Sequence, residues 1–80
     1  MTLRVLLFAR YQEAAGAPEL RLDLPEGATL RDVWAEVRRL APRLAAEESP
    51  LMAIDRHYAA AASVVTPGAE VAFFPPVSGG

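Results

Sequence analysis

The sequence has no cysteine, no lysine and no asparagine, and only one histidine, His57. Without cysteine there is neither a disulfide framework nor a thiolate metal site. A single histidine does not make a zinc site. All eight cations are arginine, spread from Arg4 to Arg56 without a cluster, against ten carboxylate side chains, for a formal net charge of −2. An isoelectric point near 5.2 and the absence of a basic patch argue against a nucleic acid partner. No apolar run is long enough to span a bilayer. Arg4 and Arg10 bracket the first apolar run, which does not read as a signal peptide. A soluble, cytoplasmic protein is the expectation. The missing lysine and asparagine fit a GC-rich genome with a bias against thermolabile residues. Whatever their cause, they leave the chain no thiol and no amine besides its N-terminus.

What is present suits one small domain. The chain has 80 residues, 52% of them hydrophobic, enough for one modest core. "MTLRVLLFA" reads as a strand with Leu3, Val5 and Leu7 on one parity. The other parity, with Arg4, Leu6, Phe8 and Arg10, is mixed and unlike an ordinary wet face. Gly16 and Pro18 signal a turn in "QEAAGAP". "ELRLDL" alternates leucines with charges, as a half-buried strand does. It is expected to pair with the first strand as a hairpin.

"TLRDVWAEVRRLA" carries the clearest periodicity. Leu30, Val33, Trp34 and Val37 fall on one helical face. Thr29 and Asp32 form a variant capping box, Arg38 and Arg39 suit the last turn, and Pro42 ends the helix. "PRLAAEESP" is a connection with room for a helical turn. "LMAID" and "YAAAASVV" are expected as two short strands around Arg56 and His57. In "TPGAE", Pro67 and Gly68 fit the centre of a type II turn. "EVAFF" is the last strand, which Pro75 and Pro76 must terminate. The order of strand, strand, long helix, short strands and strand predicts a two-layer α+β domain. Its arrangement is that of a ubiquitin-like β-grasp: a mixed four- to five-stranded sheet crossed by one main helix, with the last strand beside the first. The expected boundaries are residues 1–74 for this domain and 75–80 for an extended tail.

The tail "PPVSGG" is the chemically suggestive part. Fully extended, it reaches about 20 Å from the sheet. Pro75 and Pro76 stiffen its base in a polyproline II form. Val77 and Ser78 carry it forward, and Gly79 and Gly80 lack side chains, so such a terminus can thread a narrow channel. A carboxylate at Gly80 is inert until activated. Adenylation would make it an acyl donor, to a sulfur nucleophile or to an amine. With no cysteine and no lysine, the body of the chain has no side chain that captures the activated end.

"VLLFARYQEAAG" and "GAEVAFFPPVSGG" together resemble the opening and closing segments of the small, sulfur-carrier subunits of molybdopterin synthases. The resemblance spans the chain and is firmest in its first 16 and last 13 residues. It implies that Gly80, preceded by Gly79, is adenylated by an ATP-dependent activating enzyme and then sulfurated. It further implies that the tail enters a large synthase subunit and that the thiocarboxylate there gives its sulfur to a pterin precursor. The chain would be a non-catalytic, sulfur-donating subunit of a heterotetramer, with the active-site residues on its partner. It would bind no cofactor or metal itself, ATP being used by the activating enzyme. The sequence departs from the family at Asp55, where asparagine is common, and at Tyr58, where the residue is commonly aliphatic.

The strand parity locates the expected docking surface. If Val5, Leu7 and Phe73 face the helix, then Leu6, Phe8 and Phe74 face away from it. Clustered exposed aromatics and aliphatics mark partner sites. Tyr58 joins them through the family resemblance. Pro75, Pro76, Val77 and Ser78 continue the contact along the tail, and Arg4 and Arg10 are expected as a polar rim. His57 reads as a solvated turn residue. Three other readings share the fold: a sulfur carrier of thiamine biosynthesis, a ubiquitin-like modifier joined to protein lysines, and an interaction module with a passive tail.

Overall fold

The computed structural model describes residues 1–47 and 49–76. Strand β1 spans Thr2–Leu7 and helix α1 Arg10–Ala15; strand β2 follows at Glu19–Asp23 and the main helix α2 at Leu30–Leu40. A single 3₁₀ turn covers Pro42–Leu44, and strands β3 (Leu51–Ile54), β4 (His57–Tyr58) and β5 (Glu70–Phe74) follow. The strands form one mixed sheet in the order β2-β1-β5-β3-β4. β1 pairs antiparallel with β2 and parallel with β5, so the first and last strands lie side by side at its centre.

Alternation in β1 sends Leu3, Val5 and Leu7 into the core, and Val71 and Phe73 of β5 do the same. α2 covers this face with Leu30, Val33, Trp34 and Val37, all buried. Trp34 meets the Phe73 ring at 4.8 Å, as a core anchor. Its indole Nε1 donates to the Glu47 carbonyl at 2.8 Å, tying the connection after α2 back onto the helix. The capping box is complete: the Asp32 amide donates to the Thr29 hydroxyl, and the Thr29 amide donates to the Asp32 carboxylate at 2.9 Å. The Thr29 amide, and the Thr29 hydroxyl donating to the same carboxylate at 3.1 Å, hold the Asp32 carboxyl below its ordinary pKa. Gly68, at φ 82°, occupies the turn position expected of it, and the Ala69 amide closes that turn on the Thr66 carbonyl.

Two segments differ from the sequence expectation. The first is "YQEAA", which is not an open turn but part of the short helix α1. Its Tyr11 is fully buried and tilted against Trp34 at 5.1 Å, while Gly16 ends the helix in the left-handed conformation. Six residues show too little periodicity to declare a helix. The second is "YAAAASVV", where strand structure ends at Tyr58 and only an isolated bridge joins Val64 to Thr29. Its carbonyls have another use. The Leu30 amide donates to Ser63 at 3.0 Å and the Arg31 amide to Ala61 at 2.9 Å. With the capping box, the first three amides of α2 are thereby satisfied. Alanine side chains let this backbone lie close to the helix end.

Candidate docking face and its relatives

The sheet face opposite α2 carries a shallow groove of about 430 Å³. Backbone register explains its shape. Tyr58, Ala53, Ala72 and Leu6 lie in one row across β4, β3, β5 and β1. The two alanines form a low floor between the larger side chains at either end. One end of the groove is aromatic. There Phe8 and Phe74 stack with centroids 4.5 Å apart and planes at 10°, and Tyr58 meets Phe74 edge-on at 6.3 Å. Phe8 is 39% exposed and Tyr58 76%, well above what a monomer's core would leave uncovered.

The other end is charged. Arg4 donates to Glu19 at 2.6 Å and to Glu70 at 3.1 Å. The hydrogen bond to Glu19 is the main reason its guanidinium pKa sits above its ordinary value. Arg56 lines the groove from the turn between β3 and β4. That turn is fastened to β5: the Asp55 amide donates to the Glu70 carbonyl at 2.8 Å, and the Glu70 amide donates to the Asp55 carboxylate at 2.9 Å.

Leu6, Phe8 and Phe74 therefore lie together on the face the strand parity gives them, and Tyr58, which the family resemblance added, lines the same groove. Pro75 is half-buried and Pro76 exposed, both just past the end of β5. Val77, Ser78, Gly79 and Gly80 lie outside the described residues. Arg10 is not on this rim. β1 ends at Leu7, and Arg10 opens α1, where it pairs with Glu47 at 3.1 Å. His57 is exposed, with Nδ1 3.0 Å from the Asp55 carbonyl. Sequence reasoning passed over Ala53, Ala72 and Arg56 as groove residues. The first two are signalled only by their parity with Leu6 once the register is known, and Arg56 only by its place in a two-residue turn. Among the described residues, no helix is long and apolar enough to cross a membrane.

A mixed five-stranded sheet crossed by one main helix, with the first and last strands adjacent at its centre, is the ubiquitin-like β-grasp fold. The chain belongs to the ThiS family, whose profile matches residues 5–80. It is 37% identical to the molybdopterin synthase sulfur carrier subunit of Escherichia coli (strain K12), over 98% of this chain and 99% of that relative. The protein of the same description from Arabidopsis thaliana is 35% identical, over 98% of this chain and 82% of the relative. Among solved structures, the small archaeal modifier protein 1 of H. volcanii matches with a TM-score of 0.86 and 26% identity, covering 95% of this chain and 98% of that one. A putative molybdopterin converting factor subunit 1 from Pyrococcus furiosus matches with a TM-score of 0.86 and 27% identity, covering 96% and 99%.

Proposed function

We propose that this chain is the sulfur carrier subunit of a molybdopterin synthase and acts in molybdenum cofactor biosynthesis. An ATP-dependent, E1-like enzyme joins the Gly80 carboxylate to AMP and releases pyrophosphate. A sulfide equivalent from a sulfur donor then displaces AMP, leaving a thiocarboxylate. The groove docks on the large synthase subunit, and the tail from Pro75 to Gly80 carries the sulfur into that subunit's site. There the sulfur passes to the pterin precursor, and hydrolysis of the acyl group returns the carboxylate. The chain itself binds no cofactor in this scheme, because ATP and the pterin are held by its partners.

The observation that carries this reading is the position of the groove. Its aromatic end is built on Phe74, the last residue of β5, so a partner gripping Phe8 and Phe74 also receives whatever follows Pro75. The curated relatives at 35% and 37% identity, both described as sulfur carrier subunits, support the same chemistry. The likeness to an archaeal modifier protein favours a second reading, in which the activated Gly80 forms amides with lysines of other proteins.

Intact mass spectrometry separates them. The chain is incubated with the activating enzyme, ATP and a sulfur source. A gain of about 16 Da, the exchange of one oxygen for sulfur at the acyl group, is expected. No gain, under conditions that sulfurate a known carrier, refutes the sulfur-carrier reading. A ladder of adducts on lysine-bearing proteins would instead support the modifier reading.

A further inference from the structure

Three non-glycine residues of the described chain have positive φ: Ala9 at 52°, Asp55 at 48° and Arg56 at 71°. This region carries a steric penalty for any residue with a Cβ. All three adjoin the groove, since Ala9 follows Phe8 and the other two form the turn joining β3 to β4. Strained residues persist where surrounding structure holds them, often beside functional surfaces.

Asp55 has visible compensation. A short polar side chain tolerates this conformation, and its two bonds to Glu70 fasten the turn to β5. Arg56 has none. A two-residue hairpin turn with positive φ at both positions favours glycine at the second. Arginine there brings the steric penalty and, among the described residues, no ion pair in return. The other groove charges are matched, Arg4 with Glu19 and Glu70. Among the described residues, the Arg56 guanidinium therefore has no carboxylate partner at the charged end of the groove, across the alanine floor from the aromatic end at Phe8 and Phe74. On a chain of net charge −2, that local charge opposes the overall sign. Such a feature selects the orientation of a partner more than it adds general attraction.

We infer that Arg56 reads the partner's charge: the groove receives a segment of the large subunit that presents an apolar side chain flanked by a carboxylate, and that carboxylate meets the Arg56 guanidinium. This rests on the docking role proposed above. The partner contact is what retains arginine where glycine would fold better.

The test titrates Arg56→Gly, Arg56→Gln, Arg56→Glu and Phe74→Ala against the purified large synthase subunit of the same source, by calorimetry at low and physiological salt. Melting temperatures are recorded alongside. Arg56→Gly is expected to melt about 2–5 °C higher, because the steric penalty is relieved. Both Arg56→Gly and Arg56→Gln should bind about fivefold more weakly at low salt. Arg56→Glu should bind more than about tenfold more weakly. The wild-type advantage should shrink as salt rises. If all three Arg56 variants bind like wild type while Phe74→Ala is weakened, the charge-reading role is overturned and the docking face stands. If Phe74→Ala also binds like wild type, the docking reading falls and the Arg56 role falls with it. Tighter binding by Arg56→Glu would mean that the partner presents a cation, and would likewise overturn the inference.

Discussion

Phe8 and Phe74 stack face to face across the parallel pair of β1 and β5, with ring centroids 4.5 Å apart. Neither ring belongs to the core, which lies on the other side of the sheet. A stacked aromatic pair left partly open to water is a ready-made anchor for a partner. Phe74→Ala is therefore expected to weaken binding to the large subunit by about 2 kcal/mol or more, with the thermal unfolding of the free chain changed much less. Calorimetric titration checks the first part and scanning calorimetry the second. An unchanged dissociation constant would remove Phe74 from the interface.

The neighbouring residue should behave in the opposite way. Phe73 is fully buried and packs on Trp34 at 4.8 Å. Truncating it leaves a cavity beneath α2 that a close-packed core cannot refill. Phe73→Ala is expected to cost about 3–5 kcal/mol of stability, a large share of the margin of so small a domain. Chemical denaturation of the two variants side by side should give the contrast. Similar losses for Phe73→Ala and Phe74→Ala would mean that the two faces of β5 are not as distinct as their burial indicates.

That contrast was legible in the sequence, because a strand has a period of two. With Leu3, Val5 and Leu7 inward, Leu6 and Phe8 must face outward, and Phe74 does the same given that Phe73 faces the helix. The helix was legible for a similar reason: Leu30, Val33, Trp34 and Val37 repeat along one face, with capping residues at Thr29 and Asp32. α1 was not, because a helix closing on Gly16 after so few residues looks like a turn. The alanines after Tyr58 resemble a strand in sequence but are not one, because their role is carried by backbone carbonyls, which leave no mark on side-chain pattern. The groove floor at Ala53 and Ala72 depends on the pairing of β3 with β5, a register that one sequence does not display. Arg10 falls off the expected rim because the alternation of β1 stops at Leu7, where the strand ends.

Acid should weaken the fold through the carboxylates that cap and brace α2. Hydrogen bonds from Thr29 hold the Asp32 pKa below its ordinary value, and the hydrogen bond from Arg39 does the same for Glu36. A carboxylate whose folded pKa is depressed contributes stability above its unfolded pKa, and that contribution is lost as pH falls through the folded value. The melting temperature should thus decline as pH drops below about 4. Asp32→Asn should melt lower than wild type at neutral pH, with the difference narrowing in acid. Thr29→Ala, which removes the cap itself, should cost about 1 kcal/mol. A pH-independent gap between wild type and Asp32→Asn would exclude this linkage.

At the alkaline end the relevant group is Tyr11. Its side chain is buried against Trp34, with the Arg10 guanidinium 5.4 Å from the ring centroid. Among the described residues, its hydroxyl finds no hydrogen-bond partner. Burial, reinforced by the nearby Glu47 carboxylate, raises the phenol pKa above its ordinary value. A folded pKa raised above the unfolded one gives stability that is fully present below the unfolded value, about 10 for tyrosine, and lost as pH rises through the folded value. Tyr11→Phe keeps the ring and removes the unpaired oxygen. Deleting a buried polar group that has no partner costs little and can stabilise. The variant should therefore unfold within about 0.5 kcal/mol of wild type at neutral pH, or be slightly more stable. It should also lose the alkaline decline that the wild type shows. Denaturation midpoints from neutral to strongly alkaline pH would test both. A loss above about 1 kcal/mol at neutral pH, the net worth of an ordinary hydrogen bond, would show that the hydroxyl is paired and that Tyr11 does more than fill the core.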